Sequence, residues 1–209
     1  MLEHLRSEIM TGRYEPGERL IEAAISEELA TSRGPVREAL RQLEHEGLVV
    51  SIPYRGAVVL EVSDEEVQEV LIPIRLTLES FSFQKALELM SDDDFAELGK
   101  QLWIMEEGAR RSDLQQVVEA DLRFHELVIA ASRRPHTMQV WRSIWPRIRN
   151  YFVRYGRFRE LDSIVTEHRE LLEAMRSGDR KWMLEVLERH IDVPVPGAPE
   201  RAGTAESKA

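Results

Sequence analysis

The stretch SRGPVREALRQLEHEGLVV, Ser32 to Val50, has the pattern of a capped helix running into a strand. Ser32 is a favoured N-cap residue, and Pro35 falls in the first turn, where its missing N–H costs little. Val36, Leu40 and Leu43 recur at helical spacing and form an apolar stripe. Arg33, Arg37 and Arg41 lie four apart on the other face, one above the next. Gly47 stops the helix, and Leu48-Val49-Val50 opens a strand. A short helix with an apolar back and an arginine front suits the major groove of DNA. There arginine bonds phosphates or forks onto guanine.

The neighbouring segments support this reading. Leu2 to Met10 predicts a first helix, with Gly12 ending it, and Tyr14-Glu15-Pro16-Gly17 a turn. Ala23 to Ala30 predicts a second helix with Ile25 and Leu29 inward, and Thr31 to Gly34 a tight turn into the third. After the arginine helix come a strand over Leu48–Ile52, the turn Pro53-Tyr54-Arg55-Gly56 and a strand over Ala57–Val62. Three helices and a β-hairpin wing make a winged helix-turn-helix over residues 1–62. Arginines on an amphipathic helix are often only a solvated face. Here the preceding helix, the tight turn and the wing assign DNA readout to Ser32, Arg33 and Arg37, with Arg41 beside them. Arg55 and Gly56 at the wing tip should approach the minor groove or the backbone.

Charge at first argues the other way. The chain has a net charge of −10, and residues 1–60 carry seven Arg and ten Glu, a net of −3. DNA-binding domains are usually basic, so positive charge must be local here. That predicts weak non-specific binding, reliance on a well-fitted site, and affinity that falls with salt. With 209 residues, one large domain or two small ones fit. No run of 18 apolar residues exists, and MLEHLRSEIM reads as an amphipathic helix, not a signal peptide. The chain has no cysteine, which excludes disulfides and thiolate metal sites. These features favour a soluble cytoplasmic protein.

From Ser63 onward the period is helical. Ser63-Asp64-Glu65-Glu66 is a capping box, and helices are expected at roughly 64–90, 92–110, 113–132, 135–157, 160–177 and 180–191. Ser91, Ser112 and Asp179 are candidate caps, and Gly178 a C-terminal stop. Pro73 and Pro146 fall inside helical patterns, where kinks are expected. The fold class is therefore mainly α, a winged helix-turn-helix followed by an antiparallel six-to-seven-helix bundle over 63–191. Residues 192–209, rich in Pro, Gly and Ala, read as a disordered tail.

Three of the six histidines interrupt apolar stripes. Asp121 and His125 are four apart and point the same way, among Leu114, Val118, Val128 and Ile129. His168 sits in the stripe Leu161, Ile164, Leu171, Met175, and His190 in Met183, Val186, Leu187. A bundle can bring three inward faces together, and one carboxylate with three imidazoles suits Zn²⁺, Ni²⁺ or Fe²⁺. Histidines hydrogen-bonded within a core are the plain alternative. A buried Asp without a partner would be costly, which favours a metal.

Both halves resemble a known family. GRYEPGERLIE, SRGPVREALRQLEHEGLV and RGAVV, between Gly12 and Val59, resemble the winged helix-turn-helix of the GntR superfamily of bacterial transcription regulators. Ser63 to Ile191 resembles the FCD effector domain of its FadR-like branch, through DLRFH (Asp121 to His125), EHRELLEAM (Glu167 to Met175) and the late His190. The resemblance implies a divalent metal on Asp121, His125, His168 and His190, Zn²⁺ first among the candidates. Arg75 and Glu79 match the family's R-x-x-x-E, and members of the branch often sense small carboxylic acids. A metal with open positions plus Arg75 would hold a carboxylate, with Arg149 and Asn150 facing the same cavity. An i,i+4 ion pair is the alternative for Arg75 and Glu79. Some members carry a basic residue after the position of Glu22, where this chain has Ala23, so operator preference should differ. The resulting expectation is a repressor acting as a homodimer on palindromic operator DNA, with a small carboxylate effector and no membrane. A sensor for which the metal is itself the effector, or a metalloenzyme, is the alternative.

Overall fold

The computed structural model describes residues 1–61, 63–156 and 160–192. The expected tail, from residue 193 on, lies outside the described residues, as does Val62, where the first segment was expected to end.

The N-terminal part contains α1 (Leu2–Met10), β1 (Arg19–Leu20), α2 (Glu22–Glu28), α3 (Arg33–His45), β2 (Val49–Ile52) and β3 (Gly56–Val59). Ser32 occupies the N-cap of α3 in extended conformation, but its hydroxyl accepts no capping hydrogen bond. Val36, Ala39, Leu40 and Leu43 are the buried face of α3, packed with Leu5, Leu20, Val49 and Val59. Gly47 ends the helix at φ +70°, a left-handed conformation that glycine adopts without steric cost. The sheet has three strands, in the order β1-β3-β2, where a two-stranded hairpin was expected. The extra strand is only Arg19–Leu20, paired with Val58 and Ala57, too short to show an alternating pattern.

Among the described residues, the chain beyond Ser63 is helical. A capping box between Ser63 and Glu66 starts α4 (Asp64–Glu66), which passes through a π-helical stretch, Val67–Leu71, into α5 (Ile72–Leu87). The kink expected at Pro73 is thus absorbed by a widened turn, in which Ile72 N–H reaches Val67 O, just before the residue that lacks an N–H. There follow α6 (Asp92–Arg110), α7 (Leu114–Ala131), α8 (Pro135–Gly156), α9 (Leu161–Ser177) and α10 (Arg180–Ile191). Asp113, not Ser112, caps α7: its carboxylate accepts from Gln116 N–H, while Ser112 sits in the turn at φ +56°. Helix α7 is central and packs on α5, α6, α8 and α9. Its buried apolar residues join those of α5, α6, α9 and α10 on one side, around Phe83, Phe124 and Leu171. On the other they meet α8, around Trp141, Ile144 and Ile148. No helix among the described residues is long and apolar enough to cross a membrane.

Candidate functional site

The helical faces read from sequence converge. Asp121 and His125 on α7, His168 on α9 and His190 on α10 are all buried, and each offers a ligand atom within 4.8 Å of the others. His125 Nε2 and His190 Nε2 stand 3.1 Å apart. Asp121 Oδ1 is 3.6 Å from both His125 Nε2 and His168 Nε2. Two adjacent ligands of a tetrahedral zinc ion lie about 3.3 Å apart, given bonds of about 2.0–2.1 Å, so these separations suit one small cation.

Each imidazole is aimed from behind. His168 Nδ1 donates to Ile164 O at 2.8 Å, and His190 Nδ1 to Glu167 Oε2 at 3.0 Å. His125 Nδ1 is 2.5 Å from Glu79 Oε2, a close contact outside hydrogen-bonding geometry. Glu79 in turn accepts from Arg75 Nε at 2.5 Å. His168 and His190 thus have Nδ1 hydrogen bonds pointing away from the cluster, and with the proton of each ring on Nδ1 three Nε2 lone pairs and a carboxylate would face one another. Asp121 Oδ1 and His168 Nε2 are buried with no hydrogen-bond partner. Histidines satisfied by core hydrogen bonds would not leave those two atoms bare.

Electrostatics follow the same geometry. Burial alone would raise the Asp121 carboxyl, but His168, then His125 and Arg75, hold it well below the usual carboxylate range. Burial is likewise outweighed at Glu79, where Arg75 and His125 lower the carboxyl to about 2. Burial, with His168 beside it, pushes His190 down to about 3, and burial lowers His125 against the pull of Glu79. Burial thus favours the neutral, ligating form of His125 and His190.

A narrow cavity adjoins the cluster. Arg75 and His190 line it with Leu71, Ile72, Ile148 and Phe152. Arg75 is 4% exposed, and its Nη2 has no partner. The i,i+4 ion pair is present, with Nε tied to Glu79, and Nη2 is left over. Asn150 is not among the lining residues, and Arg149 pairs instead with Glu119 at 2.6 Å. On α8 the cavity is met by Ile148, Tyr151 and Phe152, so the helix presents its neighbouring positions. Arg149 belongs to a seam with the N-terminal part, beside Arg6, Glu46 and Leu48. In the same seam a β-carbon on Gly47 would stand 2.4 Å from Pro146 Cβ, so α8 lies directly against the end of α3.

Ser32, Arg33, Arg37, Arg41, Arg55 and Gly56 are all exposed. Glu22, at the start of α2, accepts from Arg37 Nε at 2.9 Å and Nη2 at 2.8 Å. It also lies in the field of Arg33 and Arg41, and Arg37 chiefly lowers its carboxyl. Arg41 pairs with Glu38 at 2.9 Å. Nothing in the sequence assigns Glu22 and Glu167 a role of their own; only their partners, Arg37 and His190 on neighbouring helices, distinguish them.

This two-part chain belongs to the GntR family of bacterial transcription regulators, in the group that carries an FCD domain. Residues 2–59 match the bacterial regulatory proteins, gntR family, and residues 70–193 match the FCD domain. The family comprises DNA-binding regulators, not enzymes. Among relatives, the gluconate operon transcriptional repressor of Bacillus subtilis is 28% identical over 194 residues, 90% of this chain and 79% of that protein. The galactonate operon transcriptional repressor of Escherichia coli is 29% identical over 196 residues, 84% of this chain and 85% of that one. The solved structure of McbR/YncC from E. coli shares the fold at a TM-score of 0.72, with 23% identity and 91% of each chain covered.

Proposed function

We propose that this chain is a cytoplasmic repressor, a homodimer on a palindromic operator, controlled by a small carboxylic acid bound beside a divalent metal. The observation that carries it is the pair of bare buried atoms, Asp121 Oδ1 and His168 Nε2, at the centre of four converging ligands. Asp121, His125, His168 and His190 would hold the ion, with zinc first for this donor set and Ni²⁺ or Fe²⁺ next. A bound ion supplies positive charge and an open position for a carboxylate oxygen. Arg75 Nη2 supplies a second, directional contact for the same carboxylate. Relatives named for gluconate and galactonate operons favour an organic acid as effector.

Helix α8 is the route outward. Ile148 and Phe152 line the cavity, and Pro146, on the same helix, abuts Gly47 at the end of α3. An effector that shifts α8 shifts the arginine helix with it. It acts only as far as it prefers one arrangement, and a coupling of about 1–3 kcal/mol is usual. Val70, Ile74 and Phe81 form an exposed apolar stripe along the first effector helix, which supports self-association.

Arg33, Arg37 and Arg41, with Ser32 ahead of them, would read the operator, and Arg55 and Gly56 would meet DNA from the wing. With Arg37's Nε edge on Glu22, its end-on fork stays open for a base. The test is operator binding by metal-loaded protein, with the operator selected from random DNA. Arg37→Ala should weaken the selected site by about 1–3 kcal/mol, a loss of about 5- to 150-fold in affinity. Unchanged affinity would refute the recognition face. A metal sensor is the second reading, favoured by the complete burial of the four ligands. Operator release by zinc alone, with no acid present, would select it.

A further inference from the structure

The wing carries two further exposed side chains with no role so far. Residues 1–60 hold seven arginines among ten glutamates. Arg6, Arg13, Arg37 and Arg41 are each paired with a glutamate. The ion pairs among the described residues leave out Arg19, Arg33 and Arg55, so the free positive charge of this acidic segment lies on those three. Arg33 is on the arginine helix and Arg55 at the wing tip; Arg19 is on β1. Because β1 pairs with β3, Arg19 stands opposite Val58, and its Nε lies 4.0 Å from where a β-carbon on Gly56 would be. Leu20 and Val59 face the core, so Arg19 and Gly56 share the outer face of the sheet, beside the wing tip. Tyr54 is the second such side chain. Arg55 N–H donates to Ile52 O at 3.0 Å, closing a four-residue turn in which Tyr54 is third, at φ +65°. That position suits glycine or asparagine, and a tyrosine holds it at a cost. The ring is fully exposed, so no packing within the chain offsets the cost. Strain kept with no benefit to folding points to a contact made with a partner.

We propose that Arg19 and Tyr54 complete the wing's DNA site, Arg19 on a backbone phosphate and Tyr54 with its ring against the sugars of the minor groove. The inference rests on the reading that the wing meets DNA. A phosphate contact needs a cation not already neutralised by the protein, which Arg19 is. The minor groove, about 6 Å wide, admits a single ring from a turn tip but not a helix, and apolar side chains are a known way of filling it. The two residues divide the work. Phosphate contacts act on any sequence, whereas a ring in the groove is sensitive to its width and so to the operator.

The experiment is fluorescence anisotropy of the full-length protein on the selected operator and on random duplex DNA, across a salt series, with Tm measured on each variant. Arg19→Gln keeps the aliphatic stem over the sheet and removes the charge. It should weaken both DNAs alike and lower the slope of log affinity against log salt by about 0.9. Tyr54→Gly relieves the left-handed residue and should not lower Tm. It should weaken the operator about four- to tenfold, the loss expected for about half of a ring's burial, with the salt slope unchanged. Tyr54→Phe keeps the ring and should keep the affinity. Arg55→Ala tests the wing itself. Arg19→Gln or Tyr54→Gly binding DNA as the wild type does, while Arg55→Ala weakens it, would overturn the extended site and leave the wing reading standing. All three variants binding as the wild type does would overturn the wing reading and this inference with it.

Discussion

Asp121→Asn keeps the side chain's size and removes its charge, and its effect should depend on metal. Asp121 Oδ1 and His168 Nε2 are both buried and unpartnered, and each such atom costs about 1–3 kcal/mol. A cation that satisfies both recovers energy of that order. Zinc at about a thousand times its dissociation constant stabilises the folded state by about 4 kcal/mol. For a chain of this length each kcal/mol moves Tm by about 2–4 °C, so zinc should raise it by about 8–16 °C. If Asn binds the ion about a hundredfold more weakly, the same zinc contributes only about 1.4 kcal/mol, a rise of about 3–6 °C. Without metal the substitution removes a buried charge, so Tm should be unchanged or higher. The assay is scanning calorimetry of both proteins, each after chelation and after zinc loading, with metal content measured on the purified protein. Zinc that leaves the wild-type Tm unmoved, with Asp121→Asn lowering Tm equally in both states, would refute the reasoning. Asp121 would then be a core hydrogen-bonding residue.

Three further outcomes follow from the geometry. Glu22→Gln releases Arg37 and leaves the arginine row without its nearest acid. Non-specific DNA binding should tighten and the ratio of operator to non-operator affinity should fall, as read by anisotropy across a salt series; an unchanged ratio would contradict the positioning role. Gly47→Ala places a β-carbon at φ +70° against Pro146. The left-handed conformation alone costs about 1–2 kcal/mol, a Tm loss of about 2–8 °C, and operator binding should respond less to effector; a variant with wild-type Tm and response would remove α8 as the route. In metal-free protein, burial and His168 lower His190 to about 3, against about 6.5 when unfolded. Below pH 6.5 the unfolded chain therefore takes up a proton that the folded one refuses. Stability should be level above about pH 7 and fall steadily towards pH 4, a trend that Glu79 reinforces at the acid end; a Tm that rises on acidification would contradict the burial of His190.

Much of the molecule is legible in one dimension because helices state their buried face every third or fourth residue. Val36, Leu40 and Leu43 marked the inner side of α3, and the structure buries all three. Gly178 and Asp179 marked the junction of α9 and α10, and they are the left-handed stop and the N-cap found there. Where signals are shorter than a period they fail. Arg19–Leu20 is a strand only because β3 offers it an edge, and the cap of α7 moved by one residue between two adequate capping side chains. Second-layer contacts also escape, because an acid such as Glu167 or Glu22 looks solvated until a neighbouring helix brings His190 or Arg37 to it.

The sequence by itself determined which side chains face inward: Asp121 and His125 share a face because they are four apart, and His168 and His190 each break an apolar stripe. That is a property of helical pitch and needs no partner. Only the tertiary structure decided that those faces meet within ligand distance, that Arg75 keeps one nitrogen free beside them, and that Asn150 lies off the cavity wall. It also put Pro146 against Gly47, linking the histidine cluster's surroundings to the arginine helix with which the chain was first read. These depend on how far apart helices pack and at what angle, which is set by side chains distant in sequence filling one core.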